Sequence, residues 1–220
     1  MVASTEPDEI CVNGMSFSRR DSRWANSALV VTVDPEDSIL DPYRKEHGAL
    51  AGIAFQRAME RKAAEMGGGN MTVPVQRVTD FIAEEPSTSA PPSSYRLGVK
   101  PSACHTIYPP ELTAALRHGL VEYFDKQMPG YICDDGLLHA VETRTSSPVR
   151  VSRDDTTLEA IGIQGLFPAG EGAGFAGGIV SAAVDGMVVA EAVIDSFGSS
   201  KSNINKGRSS SASKNTGNFY

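Results

Sequence analysis

The chain has 220 residues, 40% of them hydrophobic and 21% charged, which suits one ordinary soluble domain or one well-packed domain with a tail. No apolar run is long enough to cross a bilayer, and three cysteines without CxxC spacing, Cys11, Cys104 and Cys133, argue against a structural metal and for a reducing compartment. The net charge of −7 is uneven: from Phe197 onward Lys201, Lys206, Arg208 and Lys214 stand without an acid, so the acidic body has no general affinity for nucleic acid.

The first residues, "MVASTEPDEICVNG", are acidic and lack an apolar core segment, so neither a secretory signal nor an Arg/Ser-rich transit peptide is visible. "SALVVTV", Ser27 to Val33, is a β-branched run closed by "DPEDS" and predicts a buried strand. In "ALAGIAFQRAMERKAAEMGGG" the residues Ile53, Ala54, Ala58, Met59 and Met66 approximate a helical stripe that three glycines stop. A Pro/Ser connection follows, with a short strand expected at Tyr95 to Val99. Pro109 and Pro110 open a helix whose face carries Leu112, Leu116, Leu120, Tyr123 and Phe124, ended by Pro129-Gly130.

The last third changes texture. Strand-like pieces are expected at Leu137 to Thr143, Val149 to Ser152 and Leu158 to Ile163. "GLFPAG" then enters a glycine-rich loop in which Gly172, Gly174 and Gly177 spell G-x-G-x-x-G. A helix with the small residues Ala182, Ala183, Gly186 and Ala190 follows and ends near Phe197. No second strand comes after it to complete a βαβ unit, so the loop is not the adenosine-phosphate turn of a dinucleotide fold. The same absence weighs against a nicotinamide nucleotide bound directly at Gly172 to Gly177. A helix N-terminus among glycines still favours an anionic or electron-rich ligand, and Glu171 suits hydroxyl donors such as those of a ribityl chain.

"GLFPAGEGAGFAGGIVSAAVDG" resembles the C-terminal flavin-contacting motif of two-dinucleotide-fold FAD oxidoreductases. With "VNGMSFSRRDSRWANSALVVTV", "MTVPVQRVTDF", "SSYRLGVK" and "VETRTSSPVR", the chain from about Ile10 to about Val193 is similar to the C-terminal part of the uncharacterised FAD-dependent dehydrogenase family, and most closely to its plant members. The resemblance implies an α/β fragment of an FAD/NAD(P)-binding Rossmann-like flavoprotein. Residues 1–197 would form the C-terminal domain, with about 70–130 on the substrate side and about 137–197 contacting the flavin. Residues 198–220 would be a disordered basic tail. The true N-terminal G-x-G-x-x-G of the family lies upstream of Met1, so a truncated chain is expected.

The same resemblance implies FAD as cofactor, with Gly170, Glu171, Gly172, Ala173, Gly174, Gly177, Gly178 and Ile179 as its contacts. Arg144, Ser146, Ser147, Arg150, Asn13 and Asn26 would line a flavin or substrate pocket, with Arg144 or Arg150 as an anion clamp; a polar strand connection or turn explains these six equally well. Arg19, Arg20 and Arg23 read as surface charges, and Cys104-His105 lacks a third partner for thiol catalysis. Two functions stay open: a portion of an oxidoreductase passing hydride between flavin and an organic substrate, or a truncated non-catalytic chain unable to retain FAD that acts at most as an interaction partner, with association through the exposed face of the truncated domain. A soluble intracellular protein is expected, with plastids implied for full-length plant relatives.

Overall fold

Ala51, Phe55, Met59, Ala63 and Gly67 recur every fourth residue and place one row on one face of a helix. In the computed structural model, which describes residues 2–4 and 6–211 and side chains over 6–197, that row is the buried face of a 17-residue helix, α2 (Ala51–Gly67). The stripe expected from Ile53, Ala54, Ala58 and Met66 flanks it half-buried, because the largest ring on the helix, Phe55, takes the inward position against Tyr43 of α1 (Asp41–His47), ring centroids 5.7 Å apart. The glycines end the helix as expected. Gly68, at φ +91°, donates its N–H to Ala64 and Glu65, and a Cβ on Gly67 would sit 2.0 Å from the Thr72 carbonyl oxygen.

The chain divides into two units, Met1–Thr145 and Ser146–Tyr220. In the first, β1 (Val2–Ser4) pairs antiparallel with β2 (Cys11–Asn13), Ala3 opposite Val12. A second sheet has β3 (Val73–Arg77) at its centre, parallel to β4 (Val99–Pro101) and antiparallel to β5 (Leu137–His139). Val73 and Val75 are fully buried, and α2 and the sheet enclose Ile10, Val12, Leu40, Phe55, Met59, Tyr95 and Ile107. Each such side chain taken from water contributes about 1.5–3 kcal/mol. α3 (Val78–Ala83) follows β3 directly. α4 (Pro110–Gly119) opens at Pro110 as expected, passes through a π turn at Leu120–Phe124 into α5 (Asp125–Gln127), and buries Leu120 beside Val78 and Phe81.

Charges buried at the edge of this core are paired. Glu9 receives Arg57 at 2.8 Å and Arg61 at 2.9 Å, and Glu60 on α2 receives the guanidinium of Arg144 at 2.8 and 2.6 Å. These pairs tie the segment before β2 and the segment after β5 to the same helix.

Several expected strands are absent. Ser27 to Val33 is extended but unpaired among the described residues: Leu29, Val31 and Val33 are half-buried while Val30 is 61% exposed, so the alternation of a strand survives without a neighbour to pair with. The strand expected from Tyr95 begins only at Val99, because Tyr95 is buried and its hydroxyl donates to the Met71 carbonyl at 2.6 Å. The piece from Leu137 stops at His139. Neither the two-stranded nor the three-stranded sheet is a doubly wound parallel one, so the fold described here is a mixed α/β arrangement with small sheets.

In the second unit, Val149 to Ser152 and Leu158 to Ile163 form no strands and are mostly irregular. Asp154 accepts the N–H groups of Thr156 and Thr157, which folds the intervening chain back, and a single bridge joins Arg153 to Ala160. The final helix, α6 (Ile179–Ser211), starts where the glycines predict and is drawn past Phe197 to Ser211. Residues 212–220 of the tail expected from 198 lie outside the described residues.

Candidate functional site

The glycine loop is held from beneath by one ion pair. Asp185, one turn and a half into α6, accepts Arg153 Nη2 at 2.6 Å and Nη1 at 3.2 Å, and it also accepts the Gly170 N–H at 2.7 Å. Arg153 further donates to the Pro168 carbonyl at 2.7 Å and lies 3.5 Å from the ring centre of Phe175. The Arg153 guanidinium, and then the Gly170 amide, hold the Asp185 carboxyl below its ordinary range. Two sharp turns complete the loop: Phe175 N–H donates to Gly170 O at 3.0 Å and Gly174 N–H to Glu171 O at 2.9 Å.

This bonding sorts the glycines. Gly170, at φ +70°, spends its amide on Asp185, and Gly174, at φ +82°, fits because a Cβ there would lie 2.6 Å from the Val149 carbonyl oxygen. The Gly170 amide is thus engaged within the loop, and Gly174 packs against Val149 and Arg150. Gly172 and Gly177 have nothing within 4 Å of an added Cβ, and Gly178 meets only the Ser181 hydroxyl at 3.8 Å. Glu171 and Ile179 are exposed, and Ala173 is tied through its carbonyl to the Val151 N–H. With the first-turn amides of α6 beyond them, Gly172, Gly177 and Gly178 form an open backbone surface that a flat or phosphorylated group can touch closely. The residues present therefore fit a group such as the ribityl-pyrophosphate stretch of FAD.

The other expected pocket residues do not act as one set. Arg144 is engaged in both directions by buried Glu60, so it is not a free anion clamp, and Glu60 holds its pKa above the ordinary value. Arg150 lies 4.3 Å from the Phe175 ring centre, on the loop it was expected to flank. Ser147 Oγ donates to Val149 O at 2.7 Å and approaches Gly172 O at 3.3 Å, while Ser146 is exposed. Asn13 donates to Glu142 at 3.1 Å, and Asn26 donates to Ser16 at 3.3 Å.

Asn26 lines a cavity of about 520 Å³ within the first unit, whose wall also carries Trp24, Phe81, Tyr108, Tyr131, His139 and Glu142. His139, at the end of β5, meets Ser93 Oγ through Nε2 at 2.6 Å, and burial keeps its imidazole below the ordinary value. Burial raises the Glu142 carboxyl and the Tyr108 phenol. Cys104, in the same wall, has its thiol pushed up to about 12 by burial, which agrees with an inert sulfur.

Sequence reasoning missed Arg153, Asp185, Ser93 and His139. Asp185 carried a faint signal, a lone acid in the otherwise uncharged run from Gly172 to Ala190. The Ser93–His139 pair spans 46 positions and left none.

Residues 1–145 match the family model described as "FAD-dependent protein, C-terminal domain-like". The chain belongs to that family. The match ends where the first unit ends, so it covers the cavity and not the glycine loop. The chain is also similar, at 45% identity over 199 residues, to a protein of Clostridium beijerinckii (strain ATCC 51743 / NCIMB 8052) described as "Uncharacterized protein". That match covers 90% of this chain and 36% of the bacterial protein, so the chain spans about a third of the length of the relative it matches. Because 199 residues exceed the first unit, part of the second unit shares this likeness. Among the described residues no helix is long and apolar enough to cross a membrane, and no cluster of His, Cys, Asp or Glu has the arrangement of a metal site.

Proposed function

We propose that the chain is the C-terminal portion of an FAD-dependent oxidoreductase that passes hydride between flavin and an organic substrate. The observation that carries this reading is the open backbone of Gly172, Gly177 and Gly178 over the first turn of α6, in a chain whose first 145 residues belong to an FAD-dependent family. When bound, FAD would supply the two-electron chemistry. Glu171 would accept hydroxyl hydrogen bonds along the ribityl chain, and the amides of Gly177, Gly178 and Ile179 would face the flavin's pyrimidine edge, where positive helix-end potential favours negative charge. Arg153 and Asp185 keep the loop in the shape this contact needs. The Rossmann-like layer, kinship with plant members and a plastid location rest on the shared sequence phrases, and belong to the whole protein.

A second reading is favoured by α6 itself. Ile179 is 92% exposed, Val180 76%, and Val184, Met187, Val188 and Ile194 are also uncovered. A row of this kind fits a non-catalytic chain that acts through association.

The visible absorption spectrum of the 220-residue chain, mixed with FAD and then desalted, separates the two. Oxidised-flavin bands that stay with the protein, and that weaken in Gly177→Val, support the first reading. A colourless protein that elutes as an oligomer supports the second.

A further inference from the structure

The cavity of the first unit has a one-sided chemistry. Trp24, Leu29, Phe81, Leu116, Tyr131 and Leu138 make most of its wall apolar. Asp135 and Glu142 stand on it, and no lysine or arginine does. An anion entering it would meet two carboxylates and no partner, whereas an uncharged hydrocarbon body would be desolvated favourably. At about 520 Å³ the space suits a molecule of two or more rings.

Its polar groups divide into spent and unspent ones. Trp24 Nε1 donates to the Pro92 carbonyl at 3.2 Å, and the Ser27 and Tyr131 hydroxyls bond one another at 2.6 Å. The Tyr108 hydroxyl has no hydrogen-bond partner among the described residues; burial raises its pKa, and Cys11, Cys104 and Glu142 raise it further. Ser93 Oγ, bonded to His139 Nε2 and accepting the Tyr95 N–H at 3.0 Å, keeps one further hydrogen-bonding position, a lone pair when it donates to the imidazole. One Glu142 oxygen is committed to Asn13, which leaves the other. The wall therefore offers one phenol donor and oxygen acceptors, a combination that suits a hydroxyl group, which both accepts and donates.

We propose that this cavity binds an uncharged ring compound bearing a hydroxyl group, oriented by Tyr108 and Ser93. The proposal rests on the oxidoreductase reading only in making that compound its substrate, an alcohol. Binding itself needs no cofactor. Failure of flavin retention leaves the cavity proposal standing, and failure of binding leaves the flavin spectrum unchanged.

Calorimetric titration of the 220-residue chain with 2-naphthol tests it, with 2-naphthoate as the anionic comparison. Trp24, the single tryptophan of the sequence, gives an independent fluorescence readout on the cavity wall. Saturable one-site binding of 2-naphthol is expected, with 2-naphthoate about tenfold weaker or more and the gap narrowed by Glu142→Gln. Tyr108→Phe, which keeps the ring, should weaken 2-naphthol about three- to tenfold, the range of one lost neutral hydrogen bond. Ser93→Ala, judged by an unchanged far-ultraviolet spectrum, gives a second variant with a smaller loss. Equal affinity for the two naphthalenes, an unaffected Tyr108→Phe together with an unaffected Ser93→Ala, or displacement of 2-naphthol by riboflavin would each overturn the proposal, the last by making the cavity a seat for the flavin ring.

Discussion

The two units solve the same problem by different means. Residues 1–145 wrap α2 and a three-stranded sheet around a continuous apolar core, and their buried carboxylates, Glu9 and Glu60, are each met by arginine. Among the described residues from Ser146 onward the buried apolar ones are Ala160, Pro168 and Val189, while the longest helix leaves most of its described large side chains in water. Shape there comes from polar devices: the Arg153–Asp185 pair, two arginines on Phe175, and turns closed by Asp154. Apolar burial scales with area and tolerates local change, whereas a loop fixed by one ion pair depends on a few atoms.

Truncating a core ring separates the two most strongly. Phe55→Ala should cost about 3–5 kcal/mol in denaturant unfolding of the first unit, by lost transfer energy and a cavity between α1 and α2. Arg144→Ala should cost a comparable amount, about 3–5 kcal/mol, because it leaves the buried Glu60 carboxylate with Thr143 as its remaining side-chain donor. A loss under 1 kcal/mol in both would mean that the first unit is not built as described. Gly67→Ala tests the backbone contact beneath α2: the Thr72 carbonyl must move, at about 1–3 kcal/mol.

Acid should act on the second unit in a predictable direction. The Asp185 carboxyl titrates below its unfolded value, so its contribution is full above the ordinary carboxylate range and is lost as pH falls through the lowered value. Hydrogen exchange at the Gly170 amide should therefore accelerate, relative to an unstructured reference, below about pH 4. Asp185→Asn should show weak protection at all pH values and no such step. The smallest effect belongs to α6: Met187→Ala should change stability by less than about 0.5 kcal/mol, because the side chain is already in water. A loss of 2 kcal/mol or more there would reveal that the helix face is covered in solution.

Helices were legible wherever a row of one face coincided with a stop signal. α2 has its four-residue row and its glycines, and α4 has its two prolines. Strands were less legible, since "SALVVTV" carries strand composition but meets no partner, and β-branched residues fit a pleated surface without creating one. At the candidate site the sequence located the loop and the start of α6. It could not assign the work of each glycine, because Gly170 and Gly172 look alike until Asp185 takes one amide and leaves the other side open.

Local chemistry by itself determined the glycine turn, the helix boundaries at Pro110 and Gly68, the acidic body with its basic end, and the absence of zinc spacing, because each depends on residues adjacent in the chain. Tertiary structure alone decided that Arg144 belongs to Glu60, that Arg153 and Asp185 hold the loop, and that Ser93, Tyr108 and His139 share a cavity wall. Those groups lie tens of residues apart, and only closing the chain around α2 and β3, or folding it back at Asp154, brings the charges and hydroxyls within hydrogen-bond reach.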